Sequence, residues 1–263
     1  QQRMLDLIEE YLHKTLPKLP DFYATRITIR FEDRQSRRLA RASSQNGLSW
    51  RQVGSSTVIV AYRNGREVVD PREWGNHPSH PEGEGMGTRG TFGPILSTVI
   101  LDAAHSEMAW SRWERGSAGT LAVFRYRVPQ GQSHYFVAIR GLSSDKGDAE
   151  QATGYHGEVA IDSASGTILF LTLQADQPLG SLILRSDVMV EYGPVELGGK
   201  TYTCPIRSVA IGLDSMGFMG VYPFGRPTPT SDATLLNDVT FEGYHLFRAD
   251  ARILTRNVPT PDR

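Results

Sequence analysis

The sequence has almost no cysteine, no long apolar run and no excess of charge of either sign. Its single cysteine, Cys204, excludes an intrachain disulfide and the zinc sites that use two to four cysteines. The longest apolar stretches, Thr57 to Tyr62 and Ile168 to Leu173, are far shorter than the ~20 residues of a transmembrane helix. Lys and Arg number 28 against 29 Asp and Glu, so nonspecific nucleic-acid binding, which requires a basic excess, is disfavoured.

The common catalytic motifs are also missing from the sequence. It contains no G-x-S-x-G turn, no H-E-x-x-H pair and no phosphate-binding glycine loop. His77 and His80 are the best metal candidates, but they lie in a Gly/Pro-rich loop that does not fix ligand geometry, and we predict a solvated loop there. The remaining candidates, His134, His156 and His245, lie on predicted strands, where packed or hydrogen-bonded histidines are the simpler interpretation. We therefore predict no enzyme activity, no catalytic residues, no metal and no cofactor.

What the sequence has in quantity is turn residues, with 26 Gly and 15 Pro among its 263 residues. They separate short segments of alternating apolar and polar residues, which is the pattern of half-buried strands. Asn64-Gly65 between two such segments is a strong hairpin signal. The predicted strands cover 24–33, 57–62, 66–69, 108–114, 120–128, 133–140, 155–161, 167–174, 187–192, 195–197, 200–211 and 239–249.

Two segments have helical spacing instead. Met4 to Leu16 places apolar residues four apart and ends at Pro17. Phe92 to His105 is apolar on most sides, which is typical of a helix that is buried or lines an apolar space. Sequential antiparallel strands with two helices predict an α+β domain spanning residues 1–263.

Two long loops interrupt this pattern, at about residues 70–91 and 212–238. Loops of this length are uncommon in compact domains unless they are functional or disordered. The second is rich in aromatic residues and methionine, which disordered segments lack, so we expect it to lie on a surface. The residues concerned are Met216, Phe218, Met219, Tyr222 and Phe224.

Three stretches, Gly119 to Pro129, Gly154 to Leu173 and Asp187 to Pro205, resemble a group of uncharacterised exported acidobacterial proteins. That group is in turn similar to the fold of the lipoprotein carrier LolA, the receptor LolB and the sigma-factor regulator RseB. The resemblance implies an open, incomplete β-barrel of about ten strands, with two or more helices on the concave side of a curved sheet around a hydrophobic cavity. It also implies binding of acyl chains through apolar side chains, without catalytic residues.

We therefore expect a non-enzymatic binding protein that holds a lipid, acyl chain or other apolar ligand between sheet and helix. Ile95, Leu96, Val99 and Ile100 are the expected cavity lining, with ordinary core packing as the alternative, and Trp110 or Trp113 is expected near its wall. The aromatic insert would form a lid. Alternatively, it would dock the protein, as an accessory subunit, on a larger assembly.

The sequence starts at Gln1 rather than methionine, and we predict a removed signal peptide and a periplasmic or extracellular location. The expected partner is an apolar small molecule or lipid, or a protein, and not nucleic acid.

Overall fold

The computed structural model of the chain describes residues 3, 6, 7, 10, 19–34, 49–69, 90–116, 119–139, 149–177, 183–214 and 233–247. In this part the chain forms twelve strands and one α-helix, α1 (Pro94–Ala104). The strands are β1 (Phe22–Arg34), β2 (Arg51–Arg63), β3 (Arg66–Val69), β4 (Glu107–Arg115), β5 (Thr120–Val128), β6 (Phe136–Ile139), β7 (Ala149–Ala152), β8 (Gly154–Asp162), β9 (Ile168–Asp176), β10 (Ile183–Leu197), β11 (Lys200–Asp214) and β12 (Ala233–Leu246).

Ten of these strands form one antiparallel sheet in the order β3-β2-β1-β12-β11-β10-β9-β8-β5-β4. Strands β6 and β7 form a separate hairpin. Most neighbours are consecutive in sequence, but β1 also pairs with β12, from Phe22 opposite Leu246 to Arg34 opposite Ala233. The predicted ten-stranded antiparallel sheet is therefore present.

The expectation of two or more helices on the concave side is wrong for the described residues, in which α1 is the one α-helix with defined bounds and the other helical element is a single 3-10 turn, Gln130–Gln132. Within the predicted helix Met4 to Leu16, Asp6, Leu7 and Glu10 have helical backbone, and the other residues lie outside the described part. In place of a further helix, aromatic side chains cover part of the inner face of the sheet. This aromatic cluster consists of Phe22, Tyr62, Phe241 and Tyr244 on β1, β2 and β12, together with Phe92 just before α1.

The sheet curves around α1. A Cβ at Gly93, just before the helix, would lie 2.6 Å from the ring of Tyr62 on β2, whereas the helix itself contacts β4 and β5. In a flat sheet, β2 and β4 would be roughly 38 Å apart at about 4.8 Å per strand. The helix has 11 residues and spans only about 16 Å. One short helix can reach both ends of the sheet because the sheet is curved.

The main core forms where α1 meets the strands from β5 to β11. On β5, Phe124, Tyr126 and Val128 point into this core and Arg125 and Arg127 are exposed, as their alternation predicts. Cys204 is fully buried in the aromatic cluster, and burial raises the pKa of its thiol to about 12.

On β1 the inward side is charged. Arg26, Thr28 and Arg30 are buried on the same side as Phe22 and Ala24, whereas the isoleucines between them are only half-buried. Arg26 forms an ion pair with Glu67 of β3 at 3.3 Å, and the second carboxylate oxygen of Glu67 accepts the Phe92 backbone N–H at 3.0 Å. Buried charges need such partners, and here they connect β1, β3 and the start of α1.

The second long loop is shorter than predicted from the sequence. Strand β11 continues to Asp214 and β12 already begins at Ala233, with Leu213 opposite Thr234. The predicted range 212–238 therefore includes the ends of two paired strands.

Candidate functional site

The four helix residues predicted to line a cavity are buried in the main core. Ile95, Leu96, Val99 and Ile100 are each no more than 5 % exposed and pack against the sheet. A void of about 10 Å³ lies beside Leu96, which is at most room for one water molecule. The interface between α1 and the sheet is thus closely packed around them. Their role in ligand binding stays a prediction.

The two tryptophans lie on β4, at one edge of the large sheet. Their rings contact each other edge to face, with centroids 4.7 Å apart. Trp110 packs against Phe124 and the main core, whereas Trp113 is 55 % exposed. A position of either tryptophan near the wall of a ligand cavity stays a prediction. Met216, Phe218, Met219, Tyr222 and Phe224 of the insert lie outside the described residues, as do His77 and His80.

A different apolar space opens where β11 and β12 separate. Their pairing runs from Asp214 opposite Ala233 to Arg207 opposite Thr240, and stops there. Beyond that point β11 has an extra residue, Ile206, against β10, followed by Pro205, which has no N–H to donate. Strand β12 has a bulge at Gly243, whose φ of 62° is in the left-handed region that suits glycine. Bulges bend and twist a strand, so the two strands diverge.

This divergence leaves an open groove of about 540 Å³, which we call the β11–β12 groove. Its volume is within the ~300–1,000 Å³ typical of small-molecule sites. The lining comes from the start of β1, the β10–β11 turn and the end of β12 with the residue after it. The side chains are Tyr23, Glu196, Leu197, Tyr244, His245, Leu246 and Phe247.

Three aromatic residues of the groove contact one another, and Tyr244 instead packs against Phe22 and Phe92. The Tyr23 ring lies 5.3 Å from both His245 and Phe247, and the Phe247 backbone N–H donates to the Asp21 carbonyl at 3.1 Å. The Tyr244 hydroxyl donates to the carbonyl of Pro205 across the split, and burial raises the pKa of this tyrosine. The rings are therefore held by the ends of two long strands and not by a flexible loop.

A polar network lies at the C-terminal end of α1, around Asp102. The buried carboxylate of Asp102 accepts hydrogen bonds from the Tyr155 hydroxyl at 2.8 Å, the His134 ring Nδ1 at 2.6 Å and the His134 backbone N–H at 2.9 Å. Burial and, next, this hydrogen bond raise the pKa of Tyr155. His134 is thus hydrogen-bonded, as predicted, and so is His156, whose ring Nδ1 lies 2.8 Å from the Asp176 carboxylate. His245 is exposed and its ring contacts Tyr23. We assign the Asp102 network a structural role, because it ties the last turn of α1 to β8 and to the segment before β6.

The part of the chain described here contains no group of three or more His, Cys, Asp and Glu side chains arranged to hold a metal ion. Within the same residues, no helix has both the length and the apolar character needed to cross a membrane.

The sequence reasoning missed the groove, although two residues indicated it. Pro205 interrupts one strand pattern and Gly243 interrupts another, and each is typical of a bulge or a strand that loses its neighbour. The two positions come together only because β12 lies next to β11.

The groove therefore has the size of a small-molecule site and a lining of both polar and apolar groups. In the comparisons with known proteins, neither a family model, nor a curated protein, nor a solved structure matches this chain.

Proposed function

We propose that the protein is a non-enzymatic binding protein for a small apolar ligand, which lies in the β11–β12 groove. The observation that carries this proposal is a groove of about 540 Å³ whose lining combines aromatic and aliphatic side chains with the carboxylate of Glu196 and the imidazole of His245. In ligand sites, apolar surface binds the ligand and polar groups fix its orientation, and the groove offers side chains of both kinds.

The groove is held open by the fold. Strand β12 is fixed on its other side by pairing with β1 up to Phe22 opposite Leu246, so the ligand does not have to order the Tyr23 side of the groove. A preformed site avoids much of the entropy cost of binding. Each 100 Å² of apolar ligand surface removed from water would then contribute about 2.5 kcal/mol.

The curved sheet with α1 on its concave side is compatible with an open β-barrel, although the described residues form one α-helix where the sequence resemblance implies two or more. The interface between α1 and the sheet is filled by buried side chains. The groove is therefore a better position for the proposed ligand than that interface. The alternative function, docking through the aromatic insert, concerns residues outside the described part and stays a prediction. Export to the periplasm or the extracellular space likewise stays a prediction.

The test is an NMR titration of the protein with tert-butylbenzene, a neutral apolar probe. We expect chemical-shift changes at Tyr23, His245 and Phe247. Phe247→Ala should weaken binding about fivefold, because it removes roughly 1 kcal/mol of ring contact.

Phe136→Ala is the matched control, because Phe136 is a similarly exposed phenylalanine on the separate β6–β7 hairpin. It should leave the affinity unchanged. Shifts confined to Val99 and Ile100 on α1 would contradict the groove and favour the helix–sheet site.

A further inference from the structure

The charges around the β11–β12 groove are unevenly placed. Glu196 is the one carboxylate among its described lining residues, which include neither lysine nor arginine. Lys200 lies opposite Leu197 across the β10–β11 turn and is exposed, but it does not line the groove. A second carboxylate, that of Asp21, accepts the Asn64 backbone N–H at 3.0 Å near the rim. Glu196 therefore carries the one formal charge of the lining itself, and the guanidinium of Arg63 lies against Phe247 from outside the lining.

The rings beside Glu196 are suited to a cation. Aromatic faces carry partial negative charge, and ring groups next to a carboxylate are the arrangement that recognises quaternary ammonium ions. Phe247 already makes such a contact, because the guanidinium of Arg63 lies 5.0 Å from its ring centroid. Tyr23 adds a further ring to the same groove, whereas the ring of Tyr244, although part of the lining, is stacked on Phe92 in the aromatic cluster.

We propose that the ligand of the β11–β12 groove is an apolar molecule with a cationic head, of the quaternary ammonium class. This inference rests on the proposed function for the position of the ligand and adds its charge. The cation lies near Glu196 against the Tyr23 ring, and the apolar part lies along Leu197 and Leu246. An anionic ligand, such as a free fatty acid, would meet the carboxylate and is disfavoured.

The experiment compares two probes of nearly the same shape, phenyltrimethylammonium and tert-butylbenzene, which differ in one positive charge. Both are titrated into the full chain at neutral pH and low ionic strength. A cation–π contact with Tyr23 and an ion pair with Glu196 predict that the charged probe binds roughly 5- to 30-fold more tightly.

Two variants test the origin of that preference. Glu196→Gln keeps the shape of the side chain and should weaken the charged probe about fivefold without affecting the neutral one. Tyr23→Leu keeps an apolar contact but removes a ring, and should also lower the preference. Glu107→Gln, the same change at an exposed position on β4, is the control and should alter neither probe.

Equal affinities for the two probes would overturn the cationic ligand and leave the proposed function intact. A preference that survives both Glu196→Gln and Tyr23→Leu would also overturn it, because the charge would then be recognised elsewhere. Failure of both probes to bind would overturn the proposed function together with this inference.

Discussion

Asp102 is a charged residue placed where a core residue would be expected. It lies among the apolar residues of α1 and is 4 % exposed, yet its carboxylate accepts three hydrogen bonds from Tyr155 and His134. A buried carboxylate is tolerated only when donors replace its hydration. The segment from His134 to Tyr135 is therefore held against the helix by one side chain.

We predict that Asp102→Asn lowers the free energy of unfolding by about 2–4 kcal/mol, because the new amide N–H₂ faces donors and leaves a buried polar group unpaired. Urea denaturation followed by tryptophan fluorescence measures this change. Asp238→Asn is the control, since Asp238 forms an exposed ion pair with Arg207 at 3.0 Å, and such pairs contribute only about 0–1 kcal/mol. Similar losses in the two variants would contradict the structural role of Asp102.

Among the elements, β8 and β9 meet in an unusual way at Gly157. Their pairing is regular at His156 opposite Gln174 and again at Val159 opposite Leu171. Between these points the hydroxyl of Tyr126, from the neighbouring strand β5, donates to the carbonyl of Thr172. The missing side chain of Gly157 leaves room for this hydroxyl.

We predict that Gly157→Ala destabilises the protein by at least about 2 kcal/mol, because overpacking a filled site forces the strands apart. A Cβ there would lie 2.0 Å from the Thr172 carbonyl oxygen and 2.7 Å from the Tyr126 hydroxyl. Gly131→Ala is the matched control, because a Cβ at Gly131 meets nothing within 4 Å. Thermal unfolding of both variants measures the difference. An equal, small shift in melting temperature would show that the strands can separate here at little cost.

Elements defined by local pattern were predictable from the sequence. The Asn64-Gly65 hairpin is confirmed, with φ values of 50° and 75° at the two turn residues and Arg63 opposite Arg66. Helix α1 is confirmed within the predicted range Phe92 to His105, because its apolar spacing and Pro94 at the first turn are local properties.

Features that depend on distant partners were not predictable in this way. The pairing of β1 with β12 joins residues about 200 to 224 positions apart, and no local pattern records it. The buried Arg26 also contradicts the usual distribution of polar residues, and its ion pair with Glu67, a distant residue, helps to explain its position. The β11–β12 groove depends on local signals at Pro205 and Gly243 and also on the pairing that places β12 next to β11. Its residues were therefore not among those expected to bind a ligand.

At the scale of the whole molecule, β12 joins two parts of the sheet. Strands β1, β2 and β3 follow one another on one side of it, and β11 to β4 lie on the other. Within the large sheet, the first three strands therefore connect to the rest through β12. The pairing of β1 with β12 closes a loop that contains all the strands between them. Closing a loop of this length costs conformational entropy before any contact between the two parts forms.

We predict that β8 to β11 gain protection from hydrogen exchange early in refolding, because their hairpins are local, and that β1 and β12 gain it last. Pulse-labelling hydrogen exchange during refolding measures this order. Protection of β1 before that of β9 and β10 would contradict it.

The pairing of β1 with β12 also has a mechanical consequence. Asp21 and Phe247 lie at the same end of this antiparallel pair and are joined by a backbone hydrogen bond. A force that pulls these two residues apart acts on the backbone hydrogen bonds between the strands one after another, so the strands separate from one end. A force along the strands would act on all these hydrogen bonds together. The groove lies at the end where this separation starts, and the paired residues Tyr23 and His245 both line it. A bound ligand would therefore stabilise the first hydrogen bonds at this end of the pair and raise the force at which β1 and β12 begin to separate.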